Sequence, residues 1–200
     1  MDAFDEILEN PENKKILMIL GGAKIDDKIP ILQKLCKKVK TIYLGGGILS
    51  NLIEGMNQKN KDALDEAKKH CNLIIATDGI NQNNDYLRWN YNISSVSPEN
   101  KIFDIGTQSL HELYQLIQQH DIVLWNGTMG WTEKGFTQGT DSLISILQQS
   151  SCQVIVGGGD TAGYVNQKKH SFYHVSTGGG ASIEYISQGS LIGLDSIFDS

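Results

Sequence analysis

Four short apolar runs of this 200-residue chain end directly in glycine clusters, and a fifth ends in a looser one. They are "ILGGAK" (19–24), "LGGGIL" (44–49), "VGGGDT" (156–161), "STGGGAS" (176–182) and "LWNGTMG" (124–130). A glycine at a strand end serves any tight corner, so one such turn constrains little. Five on one chain require an arrangement in which many strands end together. A parallel sheet supplies it, because the C-terminal ends of all its strands lie along one edge.

The runs themselves agree. The candidate strands are "KILMIL" (15–20), "TIYLG" (41–45), "NLIIATD" (72–78), "DIVLWN" (121–126), "CQVIVG" (152–157) and "FYHVST" (172–177). Most are apolar throughout, as expected where both faces of a sheet are covered. Helical patterns fall between them: "DDKIPILQKLCKKV", "KNKDALDEAKKH", "QSLHELYQLIQQH" and "TDSLISILQQSS". The first has carboxylates at its start and lysines at its end, matching the helix dipole, with Pro30 in the first turn. The alternation predicts an α/β fold: a three-layer α/β/α Rossmann-like domain with a mostly parallel six-stranded sheet. Residues 79–103, rich in Asn and Ser, break the rhythm and read as an irregular excursion or a short β segment. Neither a repeat nor a linker divides the chain, so one domain over 1–200 is expected.

Composition removes several function classes. A net charge of −6 argues against a general nucleic-acid binder, which needs a basic face. No run is long enough to span a membrane, and the acidic start "MDAFDEILENPENKK" does not suit a signal peptide. The cysteines Cys36, Cys71 and Cys152 lie far apart and form no CxxC, which points to a reduced, cytoplasmic setting. The five histidines show no ligand spacing.

Converging glycine turns, with helix N-termini behind them, make a face suited to phosphate. Charged residues fall inside those turns. Lys24 and Lys28 are four apart and would share a face at the start of the first helix, where an anion would compensate them. Two solvated surface lysines would read the same way. No GxxxxGK[ST] motif is present. "GGGDTA" fits a dinucleotide fingerprint after a strand, but "FYHVST" ends without the acidic residue that should hold a ribose hydroxyl. Asp160 would also repel a pyrophosphate at close range. A Mg²⁺ ion between carboxylate and phosphate reverses that sign. Thr161 can add a hydroxyl and an N–H. Asp160 also reads as a plain N-cap, a role compatible with metal binding.

Taken together, "LGGAKIDDKI" (20–29), "LGGG" (44–47), "LWNGTMG", "GGGDTA" and "STGGGAS" resemble the signature segments of phosphoglycerate kinase, in family order. The resemblance is to the C-terminal, nucleotide-binding domain and runs from about residue 3 to "GLDSI". It implies ADP or ATP as substrate with Mg²⁺. Lys24 and Lys28 would face the phosphates, with Lys28 nearest the group transferred. Gly22, Ala23, Gly47 and Gly106 would line the nucleotide pocket, Asn126 would contact the phosphate chain, and Glu133 would hold the ribose. Asp160 would bind Mg²⁺, and Thr161, Gly158 and Gly159 would meet phosphates. Gly178, Gly179 and Gly180 would open a helix aimed at the moving phosphoryl group, Gly179 and Gly180 sharing a catalytic role with Lys28. Thr128 and Thr107 stand where the family has proline, aromatic residues are missing near Ser50 and Leu52, and the stretch after Glu133 is one residue short.

The family's N-terminal domain, which binds phosphoglycerate and supplies an arginine, has no counterpart here; residues 1–13 resemble the interdomain helix and linker. The expectation is a monomer that binds Mg-nucleotide and alone transfers almost nothing, because the acceptor side of the reaction is missing. A stand-alone regulatory nucleotide module is the alternative, and a Rossmann oxidoreductase ranks lower.

Overall fold

A computed structural model describes residues 14–89, 96–97 and 99–176. Its main sheet has six strands in the order β3-β2-β1-β7-β8-β9, all parallel. They are β1 (Ile16–Leu20), β2 (Thr41–Leu44), β3 (Asn72–Ile75), β7 (Ile122–Asn126), β8 (Gln153–Gly157) and β9 (His174–Ser176). Every residue of β1, β2 and β7 is buried, while the edge strands β3 and β9 are largely half-buried. Uniform apolarity thus marks central strands, because helices cover both their faces. All six parallel strands coincide with the apolar runs of the sequence.

From β1 the chain winds outward through α1 (Ile29–Leu35), β2, α2 (Ile48–Glu54) and α3 (Gln58–His70) to β3. From β7 it winds the opposite way through α5 (Gln138–Gln149), β8 and α6 (Gly159–Gln167) to β9. Crossovers of one hand running in opposite directions place helices on opposite faces, which makes the sheet doubly wound. Where the direction reverses, between β1 and β7, the two outgoing turns diverge and leave a crevice.

Residues 78–105 are more regular than the sequence suggests. They contain β4 (Asp78–Asn81), β5 (Tyr86–Arg88) and β6 (Ile102–Ile105), paired antiparallel in the order β5-β4-β6. The run "NLIIATD" is accordingly split. It leaves the main sheet at Ile75, and Asp78 opens the small one. Helix α4 (Thr107–Ile117) returns the chain to β7. Among the described residues no helix is long and apolar enough to cross a membrane.

Candidate functional site

The crevice is a cleft of about 710 Å³, a size suited to a nucleotide-sized ligand. Its floor is built from the turns after β1, β2, β7 and β8, held backbone to backbone. The Gly21 N–H donates to the Asn126 carbonyl at 2.9 Å, and the Gly22 N–H to that of Thr128 at 2.8 Å. Gly127 has φ +100°, and a Cβ there would strike the Gly21 carbonyl. At Gly47, which starts α2, a Cβ would lie 2.9 Å from the Gly22 oxygen. Here glycine permits close approach of three turns, and any side chain would separate them.

Asn126, the last residue of β7, is 3% exposed and sits at the centre of the floor. Its Oδ1 accepts from Lys28 Nζ at 2.6 Å. That bond fixes the amide's orientation, because ammonium can only donate. The Nδ2 group is then left buried with no partner among the described residues. A buried unsatisfied donor costs about 1–3 kcal/mol, so the pocket is incomplete without an acceptor.

Lys28 is half-buried at the start of α1. Burial lowers its pKa, and the negative charges of Asp27 and Asp160 partly restore it. A dehydrated ammonium interacts more strongly with an anion than a surface lysine does. Lys24 lines the same cleft but is exposed and precedes the helix, which begins only at Ile29. The two lysines therefore meet at the cleft through the loop between them. They are not stacked on one helical face, as the four-residue spacing suggests. The loop is pinned by Asn51 Oδ1, which accepts from the Ile25 N–H at 2.8 Å.

Across the floor, α6 points its N-terminus at the cleft. Its cap is Gly158, which has no side chain to satisfy the first N–H groups, and Asp160 is an exposed residue of the first turn. The N-cap reading of Asp160 is thus corrected: the cap lies two residues earlier, and the carboxylate is left free beside the cleft. Thr161 is 1% exposed, and its hydroxyl accepts from the Gly127 N–H at 2.8 Å, which locks α6 to the β7 turn. Trp125, also buried, donates from Nε1 to the Gly127 carbonyl at 2.8 Å.

Of the residues singled out in the sequence, Gly22, Ala23, Lys24, Lys28, Gly47, Asn126, Glu133, Gly158, Gly159, Asp160 and Thr161 all line this cleft. Gly106 does not. It precedes α4, and a Cβ on it would collide with the Asp78 carboxylate, so its smallness serves packing away from the cleft. Gly178, Gly179 and Gly180 lie outside the described residues. Sequence reasoning overlooked Phe103 and Trp131 and noted Thr128 only as a departure from the family's proline; all three line the cleft. The signal available for Trp131 was a tryptophan in a loop just past a strand.

The family model for phosphoglycerate kinase matches residues 1–189. The chain belongs to the phosphoglycerate kinase family. It is 32% identical to the phosphoglycerate kinase of Finegoldia magna, over 98% of this chain and 55% of that one. With the enzyme of Legionella pneumophila it shares 30% identity, over 92% of this chain and 51% of the relative. The solved phosphoglycerate kinase of Coxiella burnetii superimposes with a TM-score of 0.75 at 29% identity, covering 94% of this chain and 54% of the other. The chain therefore spans about half the length of the phosphoglycerate kinases it matches.

No group of three or more His, Cys, Asp or Glu side chains that could hold a metal ion occurs among the described residues. A resident ion held by the protein alone does not fit this cleft. A Mg²⁺ ion arriving with a nucleotide would need only one protein carboxylate beside phosphate oxygens and several waters, and the exposed Asp160 carboxylate at the cleft is a donor of that kind.

Proposed function

We propose that the cleft binds ADP or ATP with Mg²⁺ and serves the nucleotide side of a phosphoglycerate kinase reaction. That reaction is reversible phosphoryl transfer between 1,3-bisphosphoglycerate and ADP. The observation that carries the reading is the buried Asn126 amide. Its Oδ1 is held by Lys28, and its Nδ2 lacks an acceptor. Phosphate oxygen is the acceptor that suits all three neighbours: the amide donor, the dehydrated ammonium, and the uncapped N–H groups of Gly159, Asp160 and Thr161.

In this reading Asn126 and the start of α6 orient the phosphate chain, and Lys28 places positive charge where charge builds on the moving group. Mg²⁺, bound with the nucleotide, neutralises phosphate charge on the Asp160 side. Glu133, exposed at the cleft rim in the turn Thr132–Lys134, would take ribose hydroxyls in this reading. In-line transfer also needs the acceptor held opposite, a task for the half of the family's length that this chain does not match. The three cysteines are free, which suits a cytoplasmic enzyme.

Millimolar Mg-ADP is expected to raise the melting temperature, whereas NADH should not. Absence of a shift with Mg-ADP would overturn the nucleotide reading. Turnover is then to be assayed after adding the N-terminal domain of a phosphoglycerate kinase. Recovered activity supports the enzyme reading. Inactivity despite nucleotide binding and stable association would favour a non-catalytic module.

A further inference from the structure

The loop between β7 and α5 has a buried carboxylate at its base, which the phosphate-binding turns do not explain. Residues 130–139 leave the sheet and carry Trp131 and Glu133 to the cleft. Trp131 stacks on Phe103 of β6, with ring centroids 5.2 Å apart. Gly130 and Gly139 form the two stems of this loop. Both press against Asp104 of β6, and a Cβ on either would collide with its carboxylate. Asp104 is 3% exposed, pairs with Gly130 through an antiparallel bridge, and accepts from the Gly139 N–H at 2.9 Å. Thr140 closes the base from the other side. Its buried hydroxyl accepts from the N–H groups of Met129 and Gly130 at 3.0 and 3.3 Å. Burying a carboxylate is costly unless it is bonded, and capping alone does not require one. Helix α3 is capped by its own N-cap residue, Asn57, whose side chain accepts from the Asn60 N–H at 2.9 Å. A carboxylate reaching from β6 does more, because it ties a strand to both stems of a loop.

We propose that Asp104 is a positioning residue for nucleotide binding. By clamping both stems of the 130–139 loop it holds Glu133 at the cleft, although Asp104 itself does not line it. The inference rests on the nucleotide reading above and adds what sets the loop in place. A surface loop is placed by the scaffold at its ends, so loosening the stems displaces what it carries. The phosphate end of the cleft is built separately, from Asn126, Lys28 and the start of α6, and Asp104 bonds none of them. Losing the clamp should therefore weaken binding of a whole nucleotide and spare binding of bare phosphates.

The test titrates Mg-ADP and Mg-pyrophosphate into wild type, D104A and D104N, and follows tryptic cleavage after the exposed Lys134 without ligand. D104A should lose roughly tenfold in ADP affinity, keep its pyrophosphate affinity, and be cut faster after Lys134. D104N should recover most of the loss. The Ile105 N–H has the Met129 carbonyl as a second acceptor at 3.0 Å, which frees the amide oxygen for Gly139. Equal cutting after Lys134 in wild type and D104A would overturn the clamp, whatever the nucleotide result. Unchanged ADP affinity in D104A, or equal losses for ADP and pyrophosphate, would overturn the positioning role and leave the phosphate site standing. Should D104A fail to fold, T140V removes the other stem acceptor at nearly constant shape and carries the same expectations. T140V matching wild type in both measurements would overturn the clamp. If neither ADP nor pyrophosphate binds the wild type, the nucleotide reading falls and the positioning role with it.

Discussion

The six-stranded sheet buries every residue of β1, β2 and β7 as part of an apolar core, whereas the three-stranded sheet buries two carboxylates, Asp78 in β4 and Asp104 in β6. Both acids do the same work. Gly106 is the N-cap of helix α4 and Thr137 that of α5, and neither residue caps its helix with a side chain. Asp78 does so from a distance, accepting from the N–H groups of Gln108 at 2.9 Å and Ser109 at 2.8 Å. Asp104 accepts from the Gly139 N–H at 2.9 Å and from that of Ile105 at 2.9 Å. A strand that delivers a helix cap must carry a polar residue where periodicity expects an apolar one. The main sheet is stabilised by area removed from water, and the small one by directed bonds to helix ends. The cleft floor belongs to the first region and its aromatic wall to the second.

The comparison is broken most severely by removing a cap. D78A leaves the buried N–H of Ser109 and the half-buried N–H of Gln108 without an acceptor and should lower unfolding stability by about 3 kcal/mol, read as a shifted urea midpoint. An unchanged midpoint would mean that the small sheet does not depend on its carboxylates. G127A tests the other region. A Cβ at φ +100° against the Gly21 backbone should cost about 2–3 kcal/mol and open the cleft floor, with Mg-ADP affinity falling alongside stability.

Asp104 gives a pH signature. Burial pushes its carboxyl up to about 6, against the pull of two backbone N–H groups. The folded state thus holds this proton more tightly than the unfolded chain does. The contribution is fully present below about pH 4 and is lost as pH rises through about 6. Stability should fall across that window by an amount on the order of 2–3 kcal/mol for this group, and D104N should flatten the profile there. A profile identical in wild type and D104N would place the ionisation elsewhere. Smaller still is S50A. The Ser50 hydroxyl joins α2 to β6 through bonds of 3.1 and 2.7 Å to Ile102, and its loss should cost about 1 kcal/mol.

Much of the main sheet was legible because buried parallel strands are apolar end to end, as Leu17 to Leu20 illustrate at the core of β1. Helix α3 was legible for a different reason: its apolar residues Ala63, Leu64 and Ala67 repeat at helical spacing. The small sheet was legible only as a possible short β segment in 79–103, because β4 reads "DGIN" and owes its strand character to pairing with nearby β5 on one side and with β6, more than 20 residues on, at the other. In the cleft, the glycine turns located Asn126 and Thr161. They could not show that Thr161 spends its hydroxyl as an acceptor on Gly127, or that Asn126 keeps one donor unsatisfied. Those facts depend on which side chains meet across the switch point. Gly106 shows a structural demand that the sequence did not reveal: its lack of a side chain makes room for Asp78.

The central claim is that Asn126 and Lys28 form a phosphate site completed by a nucleotide. The direct measurement is calorimetric titration of Mg-ADP into wild type and N126A, with the melting temperature of each recorded without ligand. The account predicts micromolar to millimolar binding by wild type, at least tenfold weaker binding by N126A, and a ligand-free melting temperature in N126A close to that of wild type, because loss of the orphaned donor offsets loss of the acceptor for Lys28. Equal Mg-ADP affinity in the two proteins would contradict it.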